Sequence, residues 1–190
     1  MRKYRLFILI AAAVLSALAA YGLFTALRVE PSDSDCFSAE RVAADIKVIS
    51  QKPHSVIHPV ERAEVRDYLY NRLVDLTDSS VVLYPYENAV EYEGTPIDIT
   101  NILAQLDPVI DDPDHPNPTY LMLIAHYDSR YPQKVLDQIV LSYGAADDGY
   151  GCGVALESLS QALRYRGEWR QGIKILFTDS EEWKLAGINS

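Results

Sequence analysis

The sequence predicts an α/β fold built on a mixed, largely parallel sheet, preceded by one N-terminal membrane-spanning helix. Three observations carry this. Residues 6–27 form a run of 22 without a charge, which at about 1.5 Å per residue spans a hydrocarbon core of about 30 Å. Two continuous apolar runs, 120–125 and 173–177, have the length of buried strands, and a stretch of helical periodicity from 151 to 164 lies between them. Strand, helix and strand of these lengths make a crossover unit with parallel strands.

Charge separates the two parts of the chain. The first 28 residues hold Arg2, Lys3, Arg5 and Arg28 and no acid, leaving 13 basic against 27 acidic residues, a net charge of −14, in the remainder. Such an acidic body argues against nucleic acid as a partner, because phosphates are bound by clustered Lys and Arg. The heavier basic flank before the apolar run places the N-terminus in the cytoplasm and the body on the extracytoplasmic side of the membrane. A cleaved signal peptide is the alternative, since Ala17-Leu18-Ala19 offers a small-x-small site, but the apolar run continues through Tyr21, Leu23 and Phe24 and favours a single-pass anchor. The chain therefore divides into an anchor at 1–28, a linker at 29–36 and a domain at 37–190. Cys36 and Cys152 are the only cysteines, too few for a disulfide framework or a cysteine zinc site, and two free thiols are expected.

Within the domain, Ser38 is placed to cap a helix over 39–49, with Val42, Ala43 and Ile46 on one face. Pro53 and Pro59 break the pattern, and a second helix follows over 60–76, where Val65, Leu69, Leu73 and Leu76 recur at helical spacing. His54 and His58, in the loop between, read as solvated histidines. Residues 81–86 and 99–106 are β-branched and apolar enough for strands, separated by a polar connection containing glycine. Residues 107–118 hold four prolines and four aspartates and predict an irregular exposed loop. The run 120–125 predicts a strand buried on both faces, after which roughly twenty residues lack a regular pattern, a length that in compact domains is usually functional or disordered. Gly167 can end the helix over 151–164, and 173–177 is the next buried strand.

Three polar clusters sit at the ends of these elements: His126-Tyr127-Asp128 directly after one strand, Asp147-Asp148 in the glycine-rich turn before the helix, and Asp179-Ser180-Glu181-Glu182 directly after the next strand. Parallel strands put their carboxyl ends on one sheet edge, where open α/β sheets bind ligands, so the clusters are expected to converge. Each alone has a plainer reading, an acidic pair at a helix start as a cap and a Glu-Glu pair as a solvated face. Together they predict a metal site. Imidazole and carboxylate without thiolate suit zinc, with manganese or cobalt as substitutes. Asp128 can accept the second ring N–H of an imidazole or support the loop. Asp147 can offer one oxygen to each of two cations, and in Glu181-Glu182 one carboxylate can ligate while its neighbour accepts a proton.

This three-part pattern, His126-Tyr127-Asp128, then Gly144-Ala145-Ala146-Asp147-Asp148-Gly149-Tyr150-Gly151, then Glu181-Glu182 with Leu185 and Gly187, resembles the dinuclear zinc aminopeptidase family. That family includes bacterial leucyl aminopeptidases, glutamate carboxypeptidase II and the membrane-anchored vacuolar and endoplasmic-reticulum metallopeptidases. Pro53-His54-Ser55 and Val65-Arg66-Asp67-Tyr68-Leu69 resemble the helical approach of the membrane-associated branch. The likeness covers about residues 37–190. It implies a three-layer sandwich and a site of two zinc ions in which His126 binds one metal, Asp147 bridges both, Glu182 binds the other, Glu181 is the general base and Asp128 supports the site beside it. It also implies a cis peptide between Asp147 and Asp148. In the family the remaining aspartate and histidine ligands follow the Glu-Glu pair, so the chain is expected to hold the N-terminal part of the domain, with the sheet ending after that pair.

The implied function is a membrane-anchored exopeptidase that removes an N-terminal residue from a peptide substrate by metal-activated water. Two alternatives share the fold: a non-catalytic, receptor-like interaction module, and an enzyme resembling glutaminyl cyclases.

Overall fold

The computed structural model describes residue 16 and residues 36–188, except 79 and 111–116. The chain divides into two units, Met1–Pro31 and Ser32–Ser190. The expected anchor lies outside the described residues, as does most of the linker. Among the described residues, no helix is long and apolar enough to cross a membrane.

The second unit begins with helix α1 (Ala39–Ile49) and helix α2 (Pro59–Thr77). Ser38 starts α1 as the sequence predicts: its backbone is extended, and its hydroxyl oxygen accepts the Arg41 N–H at 3.2 Å. Pro59 occupies the first turn of α2, where its missing N–H costs nothing. Strands β1 (Val81–Tyr92) and β2 (Thr95–Leu106) form a hairpin longer than either predicted strand. The polar stretch read as a connection is paired backbone, closed by Glu93 and Gly94, both at positive φ, as a two-residue hairpin turn requires.

Strand β3 (Tyr120–His126), a short hairpin of β4 (Gln133–Val135) and β5 (Gln138–Val140), helix α3 (Tyr150–Leu163) and strand β6 (Gly172–Thr178) complete the unit. The β4–β5 hairpin occupies part of the stretch in which no regular structure is predicted. The main sheet has the order β1-β2-β6-β3. β6 and β3 are parallel, with His126 opposite Thr178, and α3 is the crossover between them. The β1–β2 and β2–β6 pairs are antiparallel, so the sheet is mixed but not largely parallel.

One hydrophobic cluster joins helices and sheet. Leu69 and Leu73 of α2, Leu156 and Leu159 of α3, Ile102 and Ala104 of β2, and Ile175 and Phe177 of β6 are all fully or almost fully buried in it. The opposite face of the sheet is more open: Tyr84 of β1 and Met122 and Ile124 of β3 are exposed there, beside Leu103 of β2 and Leu176 of β6. The described residues thus place helices on one face of the sheet, two layers rather than three. β3 is correspondingly an edge strand. Its expected burial on both faces is not met, because Leu121, Met122 and Ile124 are all exposed.

Candidate metal centre

The parallel register does the first work of assembly. His126 ends β3 opposite Thr178, the last residue of β6, so the two segments that follow leave the sheet side by side. Tyr127 N–H extends the ladder by one bond, donating to the Thr178 carbonyl at 3.0 Å. Asp128 then lies fully buried beside the Glu181-Glu182 loop. One of its carboxylate oxygens accepts the Glu181 N–H at 2.8 Å and the other accepts the Glu182 N–H at 3.2 Å. Asp128 therefore fixes the loop through its backbone and acts by positioning.

The same residue sets the histidine. His126 Nδ1 lies 3.1 Å from the Asp128 carbonyl and 3.4 Å from an Asp128 carboxylate oxygen, both acceptors, so Nδ1 carries the proton. Nε2 is left facing two carboxylates, Asp147 at 3.1 Å and Glu181 at 3.7 Å. Burial lowers the imidazole pKa, and the Asp128, Asp147 and Glu181 carboxylates outweigh it, raising the group to about 9.

Asp147 comes from the turn Ala145–Gly149, which starts at Gly144 with a φ of 64° and returns the Gly149 N–H to the Gly144 carbonyl at 2.8 Å. The Asp147–Asp148 peptide is cis, as the resemblance implies. Asp148 turns the other way: its carboxylate accepts the Gly151 N–H at 3.0 Å and the His126 N–H at 3.4 Å, tying the start of α3 to the end of β3. A methyl group at Gly151 would lie 2.3 Å from that carboxylate, so a side chain there would displace Asp148 from these bonds. Tyr150, at the start of α3, points to solvent.

Glu182 lies within electrostatic reach of Asp147 and His126. Burial raises its pKa first and the Asp147 carboxylate second, while Arg130 and His126 oppose them. Its ion-pair contact is with Arg130, at 3.8 Å. The structure thus brings His126, Asp147 and Glu181 into contact, with Asp128 behind them and Glu182 within electrostatic reach. Among the described residues, no three His, Cys, Asp or Glu side chains already surround one point as a metal cage. The donors nonetheless fit a divalent cation, because an Nε2 flanked by two carboxylates needs a positive partner, which a second proton or a metal ion supplies.

Two features escape the sequence reading. His54 is completely buried, not solvated. Its N–H donates to Ser129 Oγ at 2.9 Å and its Nδ1 to the Lys52 carbonyl at 2.8 Å, and its ring lies against Gly144. Its Nε2 has no hydrogen-bond partner among the described residues, and burial lowers its pKa. The flanking prolines signal a fixed loop, but the residues that bury it are remote in sequence. The second feature is an aromatic cluster in which Trp183 packs against Tyr92 and Tyr131, with ring centroids 4.8 and 5.1 Å away. Trp183 Nε1–H also donates to the Glu91 carbonyl at 3.1 Å, pinning the Glu181-Glu182 loop to the hairpin.

Residues 101–189, which carry all of these groups except His54 and the hairpin end, match the model of peptidase family M28. Over this segment the chain is similar to that family. No curated protein matches the chain. Solved structures share its fold. A zinc-dependent exopeptidase from Parabacteroides distasonis is 24% identical with a TM-score of 0.60, over 81% of this chain and 49% of that one. A leucine aminopeptidase precursor from Bacteroides thetaiotaomicron is 21% identical with a TM-score of 0.58, over 82% and 50%. The glutaminyl cyclase of Porphyromonas gingivalis is 25% identical with a TM-score of 0.61, over 79% and 50%. The chain spans about half the length of these structures.

Proposed function

We propose that this chain contributes His126, Asp147, Glu181 and Glu182 to the zinc site of a metallopeptidase that removes N-terminal residues from peptides. The observation that carries the reading is the convergence of His126 Nε2 with the Asp147 and Glu181 carboxylates at the end of two parallel strands. His126 and Glu182 would each hold one zinc, and Asp147, the most exposed of the group, would be shared between them. When bound, zinc supplies a Lewis acid that polarises the scissile carbonyl and acidifies water. Glu181 takes the proton from the attacking water as its oxygen bonds to the carbonyl carbon, then delivers it to the leaving nitrogen as the C–N bond breaks. Asp128 keeps Glu181 and Glu182 at fixed places through their backbone amides and keeps the His126 lone pair on Nε2.

The M28 family match and the exopeptidase fold relatives support hydrolysis. The glutaminyl cyclase relative favours a second reading, intramolecular attack of an N-terminal glutamine amine on its own side-chain amide with loss of ammonia. One assay separates them. Peptides with N-terminal leucine and N-terminal glutamine are incubated with the zinc-loaded protein and the products weighed by mass spectrometry. Hydrolysis adds water and splits the peptide; cyclisation removes ammonia and leaves it whole. Absence of both products would support the non-catalytic module. Glu181→Gln is expected to abolish turnover while leaving zinc content unchanged, and a variant that still turns over would remove Glu181 from the role of base.

The membrane reading rests on the sequence of residues 6–27 and their basic flanks. It proposes a single-pass anchor with the peptidase part on the extracytoplasmic side. Retention in the membrane pellet after alkaline extraction supports it, and release into the supernatant contradicts it.

A further inference from the structure

Arg62 on α2 is only 6% exposed and has no part in the chemistry described above. Its Nη1 donates to Asp179 Oδ1 at 3.1 Å and to Ser180 Oγ at 2.5 Å, and its Nη2 donates to the Asp98 carbonyl at 3.0 Å. The Asp179 carboxylate also accepts the Thr100 N–H at 2.9 Å, and the Asp179 N–H donates to Asn101 Oδ1 at 2.9 Å. Asn101 in turn donates to the Gly187 carbonyl at 2.7 Å. These bonds hold both ends of the segment that carries Glu181 and Glu182.

A guanidinium and a carboxylate are costly to bury, and the cost is offset only when their donors and acceptors are matched, as they are here. The segment needs such holding. Ser180, Lys184 and Leu185 adopt φ values of 55°, 62° and 56°, a region that residues with a side chain occupy when their surroundings impose it. Among the described residues, the guanidinium hydrogen bonds of Arg62 run to Asp98, Asp179 and Ser180, so its influence on the two glutamates is transmitted rather than direct.

We propose that Arg62 is a positioning residue of the metal centre: by clamping Asp179 and Ser180 it sets where the Glu181 and Glu182 carboxylates enter the site. Its consequence for metal binding rests on the function proposed above, while its consequence for the loop does not. Trp183, next to Glu182, reports on the loop directly once Trp169→Phe has removed the other tryptophan. Arg62→Met strands the buried Asp179 carboxylate, so Arg62→Met/Asp179→Asn is prepared beside it to keep a folded variant available.

All measurements use the full chain at a temperature where the helical circular dichroism of variant and parent agree. In the paired variant, Trp183 fluorescence is expected to shift to the red and become more accessible to acrylamide. Affinity for zinc alone is expected to fall at least about tenfold, the scale on which outer partners of metal ligands act. Arg62→Lys keeps the ion pair but cannot reach Asp179, Ser180 and Asp98 together, and falls between. Lower thermal stability with unchanged Trp183 fluorescence and unchanged zinc affinity would overturn the proposal, leaving Arg62 a packing residue. If the parent itself binds no zinc, the metal reading fails separately, and the fluorescence arm still decides for or against Arg62.

Discussion

Asp128 shows how one buried carboxylate can serve several groups: two backbone amides occupy its oxygens, and its own carbonyl and carboxylate hold the imidazole proton of His126. Asp128→Asn would replace one acceptor by an NH2 facing an N–H donor. Zinc affinity is expected to fall by about 10–100-fold, measured by competition with a chromophoric chelator, and an unchanged affinity would contradict the positioning role. The meeting of His126 with Asp147 and Glu181 was legible in the sequence because each stands at the end of an element whose apolar pattern is local. His54 was not, because Ser129 and Gly144, which enclose it, are brought to it only by the tertiary fold. Arg62 was hidden in the same way. On sequence it is an ordinary charged residue of a helix, and only the tertiary fold brings Asp179, at the end of β6, against it.

At the level of the element, α1 and α2 were readable almost to the residue, since capping and 3.6-residue periodicity are local physics. Ser38→Ala is expected to cost about 1 kcal/mol in chemical denaturation, with the loss of the Arg41 N–H acceptor. Leu69→Ala, at a fully buried site between α2 and the sheet, is expected to cost about 2–5 kcal/mol in the same measurement. A cost below that of Ser38→Ala would contradict its place in the core. Glu157 joins α3 to α1, and the Arg41 guanidinium holds its carboxyl below the ordinary value of 4.5. A depressed carboxylate contributes stability that is complete above its unfolded value and is lost as pH falls through its folded value. The stability difference between parent and Glu157→Gln should therefore be steady near neutrality and shrink below about pH 4.5, which urea titrations at several pH values would show. The strands were less legible. The outer part of the β1–β2 hairpin has no fully buried residue among those described, so no core run marks its strands, and the apolar run of β3 gave no sign that among the described residues one neighbouring strand alone would pair with it.

For the molecule as a whole, what matters is that one parallel pairing, β3 with β6, delivers an imidazole and a glutamate to the same edge while α3 returns the Asp147 turn to them. The parallel crossover was readable from two apolar runs and the helix between them. The antiparallel β2–β6 pair was not, because strand order depends on contacts that no local pattern encodes. The site is thus specified by a small part of the sheet, and its chemistry depends on whether those three loops close on a cation. Crystals of the full chain grown with zinc, with diffraction recorded on both sides of the zinc absorption edge, test this most directly. An anomalous peak is expected about 2.0–2.2 Å from His126 Nε2 and from an Asp147 oxygen. A peak bound elsewhere, or none at this edge of the sheet, would contradict it.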